Sequence, residues 1–88
     1  MSNFVHPIVR EPEFNKDAEY YFALFVDVNT SRGALGPYNE KQHAIDEIVE
    51  MQKEPAYVGT KYYWMKATVR KCLEWQFKKF NPPLCLVV

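Results

Sequence analysis

"KYYWMKATVRKCLEWQFKKF", residues 61–80, is the stretch on which the fold turns, because it satisfies two periodicities at once. Read with a period of two, odd positions 65–77 are Met, Ala, Val, Lys, Leu, Trp and Phe, while even positions 66–76 are Lys, Thr, Arg, Cys, Glu and Gln. Six of seven are apolar against five of six polar, the alternation of a strand with one covered face. Read with a period of 3.6, Tyr62, Met65, Val69, Cys72, Leu73 and Phe80 gather on one face, with Thr60 placed to cap. That helix leaves Trp64 and Trp75 off its own stripe. A strand over about 61–77, bulged near Lys71, is therefore the preferred reading, and a second helix over 61–80 is the alternative. Asn81, Pro82 and Pro83 stop whichever element forms. The tail "LCLVV" (84–88) is apolar and suits a sheet edge.

Toward the N-terminus, "YYFALFVDV" (20–28) carries aromatic and β-branched residues at both parities, which predicts a strand covered on both faces. Between it and the next element lies "NTSRGALGPYNEKQHAIDEI" (29–48). A helix is expected at 39–54: Asn39 caps its start, Gln42 reaches back in a capping box, and Ala44, Ile45, Ile48 and Val49 form its apolar stripe. Glu40, Asp46, Glu47, Glu50 and Glu54 fall elsewhere on its surface. Pro55 disfavours helix at Glu54 and ends the run. Residues 1–19, broken by Pro7 and Pro12, read as an extended arm, with "VHPIV" (5–9) a candidate edge strand. The expectation is one small α+β domain at 20–88, an antiparallel or mixed sheet packed by one helix.

The segment 29–38 reads as a strand-to-helix connection with Arg32 at its tip. A phosphate loop needs more glycines and a Lys-Ser/Thr at the helix start, whereas Gly33 and Gly36 lead to Asn39, Glu40 and Lys41. "GALG" copies the GXXG loop of a KH module, but that loop joins two helices. Asp27, Asn29 and Ser31 occupy calcium-loop positions one, three and five, yet the glycine comes one place late and position twelve is Tyr38 rather than Glu. No cofactor or metal is expected. His6 and His43 have no evident partner, and Cys72, on the polar parity of the strand, is the cysteine placed for access. With nothing local to activate it, the chain reads as a non-enzyme.

Charge is zero overall but sorted. Residues 1–60 hold five basic and ten acidic groups, 5 − 10 = −5; residues 61–88 hold six basic groups against Glu74, 6 − 1 = +5. No apolar run approaches the roughly 20 residues of a membrane helix, so no membrane is expected, and the reading is a cytoplasmic protein. Six Phe, six Tyr and two Trp exceed what a core of 88 residues hides with ease, so some aromatics are expected at an interface.

Two functions follow. The first is a protein-binding module, with Arg32, Tyr62, Trp64, Lys66 and Arg70 as partner-binding candidates, and the aromatic surplus and oppositely charged halves of the chain predict a homodimer as well. The second is single-stranded nucleic-acid binding, in which the cations of 61–80 track a backbone while its aromatics stack on bases. With its aromatic strand, "GPY" turn, capped helix and second strand, the chain resembles in general style the small accessory proteins that bacteriophages encode. That resemblance implies inhibition or redirection of a host protein and carries over no residue.

Overall fold

The structure, a computed structural model, describes residues 6–55 and 58–79 and the backbone of 85–87. It has six elements in the order β1 (Tyr20–Val26), β2 (Arg32–Tyr38), α1 (Lys41–Gln52), β3 (Lys61–Ala67), α2 (Val69–Gln76) and β4 (Cys85–Val87). The strands form one sheet in the order β2-β1-β3-β4, with every neighbouring pair antiparallel. The fold is α+β, as the sequence implied.

The two parities of β1 explain the layering. Tyr20, Phe22 and Leu24 join Met65, Ala67, Cys72 and Trp75 in one cluster under α2. Ala23, with Tyr21 and Phe25 beside it, joins Tyr38, Ala44, Ile48 and Tyr62 in a second cluster under α1. A strand apolar on both faces is thus buried on both, and each helix closes one side of the sheet.

Segment 61–80 is both things that its two periodicities described, in succession. The strand stops at Ala67, and the Thr68 hydroxyl accepts the Lys71 N–H at 3.2 Å to start α2. A Thr at the N-cap satisfies one orphan donor of the first turn, so the chain changes period at that residue. The expected strand to residue 77 is corrected accordingly, and Lys71 sits in a helix rather than at a bulge. Phe80 and the Asn81-Pro82-Pro83 stop lie outside the described residues.

The expected connection at 29–38 is corrected too: residues 32–38 are β2, hairpinned to β1. The turn is local. The Asp27 carboxylate accepts the Asn29 and Ser31 N–H groups at 2.8 and 2.9 Å, and Thr30 takes a positive φ of 65°. Asp27 therefore serves an Asx-type turn, the role short acids have where a chain reverses. Gly33 is required because a Cβ there would run into the Phe25 ring, and Gly36 sits at φ +137°, open to glycine alone.

Helix α1 begins two residues later than expected. Its N-cap is Glu40, with no side-chain cap, and Gln42 donates to Asp46 at 2.8 Å instead of reaching back. Ala44 and Ile48 are fully buried, Ile45 is half-buried, and Val49 is exposed. Glu47, expected on the surface, is only 3% exposed. In the arm, the Val9 N–H donates to the Pro37 carbonyl of β2 at 2.8 Å, with Val9 in the α2-side cluster and Ile8 against the α1-side one. Residues 6–9 thus straddle the sheet edge without forming a strand. No helix among the described residues is long and apolar enough to cross a membrane.

Candidate partner-binding face

Helix α2 has eight residues, and its buried side holds Cys72 and Trp75. Trp75 is 1% exposed and fixes the helix to the sheet. The Arg32 guanidinium lies 5.0 Å from the centre of its indole, and Arg32 Nη1 donates to the Trp75 carbonyl at 2.9 Å. One arginine from β2 therefore clasps the C-terminal turn of α2 by a cation–π contact and a charge-assisted hydrogen bond.

With Trp75 pinned inward, helical geometry forces Leu73 and Phe77 outward. Leu73 is 46% and Phe77 71% exposed, one turn apart, although both were expected on the covered face of a long strand. Beside them, between α2 and β2, runs a groove of about 150 Å³ bordered by Phe22, Ala34, Val69, Cys72, Leu73 and Gln76. Arg70, Lys71, Lys78 and Lys79 are exposed on α2 and its C-terminal turn, with the half-buried Glu74 among them. The result is an apolar surface next to a sheet edge, on a helix whose exposed charged residues are cations.

The candidates named from sequence divide between the two sides of the sheet. Arg32 and Arg70 lie on the α2 side, Arg32 as the clasp just described and Arg70 exposed on the helix. Tyr62, Trp64 and Lys66 lie on the α1 side, opposite Phe25, Ala23 and Tyr21 respectively. Tyr62 is buried under α1. Trp64 is half-buried, with Lys41 Nζ 5.0 Å from its ring centre, while Lys66 Nζ is 5.5 Å from the Tyr21 ring. Arg70, on the same strand parity as Tyr62, Trp64 and Lys66 in the long-strand reading, is thus parted from them by the start of α2.

The remaining chemistry-bearing groups are engaged. His6 and His43 stack at 3.9 Å, with His6 Nε2 2.7 Å from Asp46 and His43 Nε2 3.2 Å from Glu40, so both histidines have the partners that the sequence did not reveal. The hydrogen bond from Gln42, then that from His6, holds the Asp46 carboxyl below its usual range. Cys72, expected to be accessible, is buried, and burial pushes its thiol up to about 12, far from nucleophilic at neutral pH. Burial, with Glu47 nearby as a second cause, raises the Tyr38 phenol above its ordinary value. Among the described residues, no three His, Cys, Asp or Glu side chains come together as a metal ion would require.

The exposed pair was legible only through the helix: spacing 69, 73, 77 is i, i+4, i+8, but the strand reading placed all three on the covered parity. Compared with protein-family models, with curated proteins and with solved structures, the chain matches none.

Proposed function

We propose that this protein is a non-enzymatic protein-binding module that engages its partner through the α2–β2 face. The observation that carries the reading is Leu73 and Phe77, exposed one turn apart, with Leu73 bordering an apolar groove and Arg70, Lys71, Lys78 and Lys79 exposed on the same helix and its C-terminal turn. Apolar side chains in water at the centre, with cations at the rim, have the anatomy of a protein interface. In the setting that the bacteriophage resemblance implies, such a module inhibits or redirects a host protein in the cytoplasm.

A second reading, single-stranded nucleic-acid binding, draws on the α1 side. There Lys41 over Trp64 and Lys66 over Tyr21 put cations beside half-buried rings. It ranks second because Glu40 and Glu50 are exposed on the same helix as Lys41 and oppose a phosphate backbone.

The test is affinity capture with the parent chain and with Leu73→Glu/Phe77→Glu, each with and without nuclease. Protein bound by the parent, resistant to nuclease and lost from the double variant supports the module. Capture that nuclease abolishes, or that the double variant retains, refutes it. Light scattering on the same samples separates a homodimer from a foreign partner.

A further inference from the structure

The outer edge of β2 adjoins the groove, and its backbone can be assigned bond by bond. The Asp27 N–H donates to the Ser31 carbonyl at 3.0 Å, so these two form a hydrogen-bonded pair at the root of the hairpin. Antiparallel pairing alternates hydrogen-bonded and non-bonded pairs. Along the register Val26↔Arg32, Phe25↔Gly33, Leu24↔Ala34 and Ala23↔Leu35, the bonded pairs are then those of Gly33 and Leu35. The N–H and C=O of Arg32 and Ala34 face away from β1, at the sheet's edge. Among the described residues, no other backbone group bonds to Ala34 from that side.

The chain itself shows how this edge is used. At the far end of β2 the arm lays extended backbone alongside, with Val9 donating to Pro37 and consecutive side chains Ile8 and Val9 going to opposite faces of the sheet. That is the alternation of an added strand, begun at Pro37 and, among the described residues, not continued toward Arg32.

We propose that the stretch Arg32–Gly36 and helix α2 together form a cleft for an extended, acidic segment of another protein, which adds as a strand to the outer edge of β2. Ala34 exchanges backbone hydrogen bonds with it. One side chain of the segment enters the groove under Leu73, whose volume matches a cavity known to take a benzene ring and so suits one leucine or phenylalanine. Acidic residues flanking it meet Arg70, Lys78 and Lys79, exposed on α2 and its C-terminal turn. Backbone pairing supplies affinity, and the groove and the rim supply choice. This inference rests on the α2–β2 face being the interface and names what occupies it.

The experiment selects binders from a random nine-residue peptide library displayed against the intact chain. The selected peptides are then measured by titration and by amide hydrogen exchange of the isotopically labelled protein. The expected winners combine one central large apolar residue with acidic flanks, protect the Ala34 amide from exchange, and weaken at least about tenfold when alternate peptide nitrogens are methylated. Ala34→Pro removes an N–H that β1 does not use, at an edge position where proline is tolerated, and is expected to weaken binding by a similar factor without unfolding. If that variant fails to fold, the methylated peptides still decide. Selected peptides that need Leu73 and Phe77 but leave the Ala34 amide exchanging freely overturn strand addition while keeping the face. Peptides indifferent to Leu73→Glu/Phe77→Glu overturn both readings. A basic or helical consensus, no selected peptide, or concentration-dependent protection of Ala34 in the chain alone, which marks a second copy as the occupant, each overturns the proposal.

Discussion

Replacing Trp75 with alanine tests whether one side chain holds α2 to the sheet. The indole is 1% exposed, packed in the cluster of Phe22, Leu24, Met65 and Cys72, and covered on its outer side by Arg32 at 5.0 Å. Truncating a buried tryptophan costs about 3–5 kcal/mol through lost transfer energy and the cavity left behind. The cation–π contact adds about 0.5–2 kcal/mol, while the Arg32 bond to the Trp75 carbonyl survives because it uses the backbone. A loss of about 4–7 kcal/mol removes much of a total stability that runs to about 4–13 kcal/mol for a chain of this length, so the variant is expected to be strongly destabilised, and unfolded if the parent lies in the lower half of that range. Trp75→Phe keeps much of the volume, should cost about 1–3 kcal/mol, and stays measurable by urea unfolding followed by far-UV circular dichroism. Combining Trp75→Leu with Arg32→Met in a double-mutant cycle isolates the coupling, expected at about 0.5–2 kcal/mol. A Trp75→Ala protein within about 1 kcal/mol of the parent would refute the packing of α2, and a coupling near zero would refute the clasp.

Two further expectations concern titrating groups. In a Cys85→Ser background, the native Cys72 thiol at pH 8 should react with a disulfide reagent about a thousandfold slower than after urea unfolding, since burial raises its pKa to about 12 and thiolate is the reactive form; equal rates in the two states would contradict that burial. Asp46, whose pKa folding lowers through Gln42 and then His6, stabilises the native state above the ordinary aspartate range and loses that contribution as pH falls through the lowered value. The melting-temperature gap between the parent and Asp46→Asn should therefore be open at neutral pH and close in strong acid; a gap of the same size at pH 2 and pH 7 would remove the assignment.

The parts of the fold legible in the sequence were those whose pattern has a single physical cause. β1 is apolar at both parities because it is the inner strand between two helices, and that cause leaves no rival reading. The stripe of Ala44 and Ile48 is likewise set by one face of one helix. β2 was missed because Gly33, Gly36 and Pro37 ordinarily punctuate loops. Here each is tolerated by circumstance: a glycine under the Phe25 ring, a glycine at positive φ, and a proline in an edge strand that needs no N–H on its outer side. Glu47 was read as solvated because carboxylates usually are, and its burial beside Tyr38 depends on a strand the sequence had not revealed. The interface candidates suffered most. Leu73 and Phe77 become exposed only once Thr68 ends the strand, since the same letters on a longer strand would face inward.

The sheet parts the charges of the two helices, though not those of the whole chain: Lys41 and Lys66 lie on the α1 side and Arg32 on the α2 side. Helix α1, with Glu40 at its cap and Glu47 and Glu50 along it, covers one side, and the cations Arg70, Lys71, Lys78 and Lys79 lie on α2 and its C-terminal turn on the other. A closed homodimer must pair like surface with like. Through the α2 face it would set one cationic rim against another, so added salt should strengthen it rather than weaken it. Head-to-tail pairing of α2 with α1 would satisfy the charges, yet it leaves a dimer open and ends only in a larger ring or a filament. An acidic segment from another protein meets neither difficulty. If such a segment is the partner, the cations exposed on α2 and its C-terminal turn would draw it toward Leu73 and Phe77, while Glu40 and Glu50 on α1 would oppose it on the other side of the sheet.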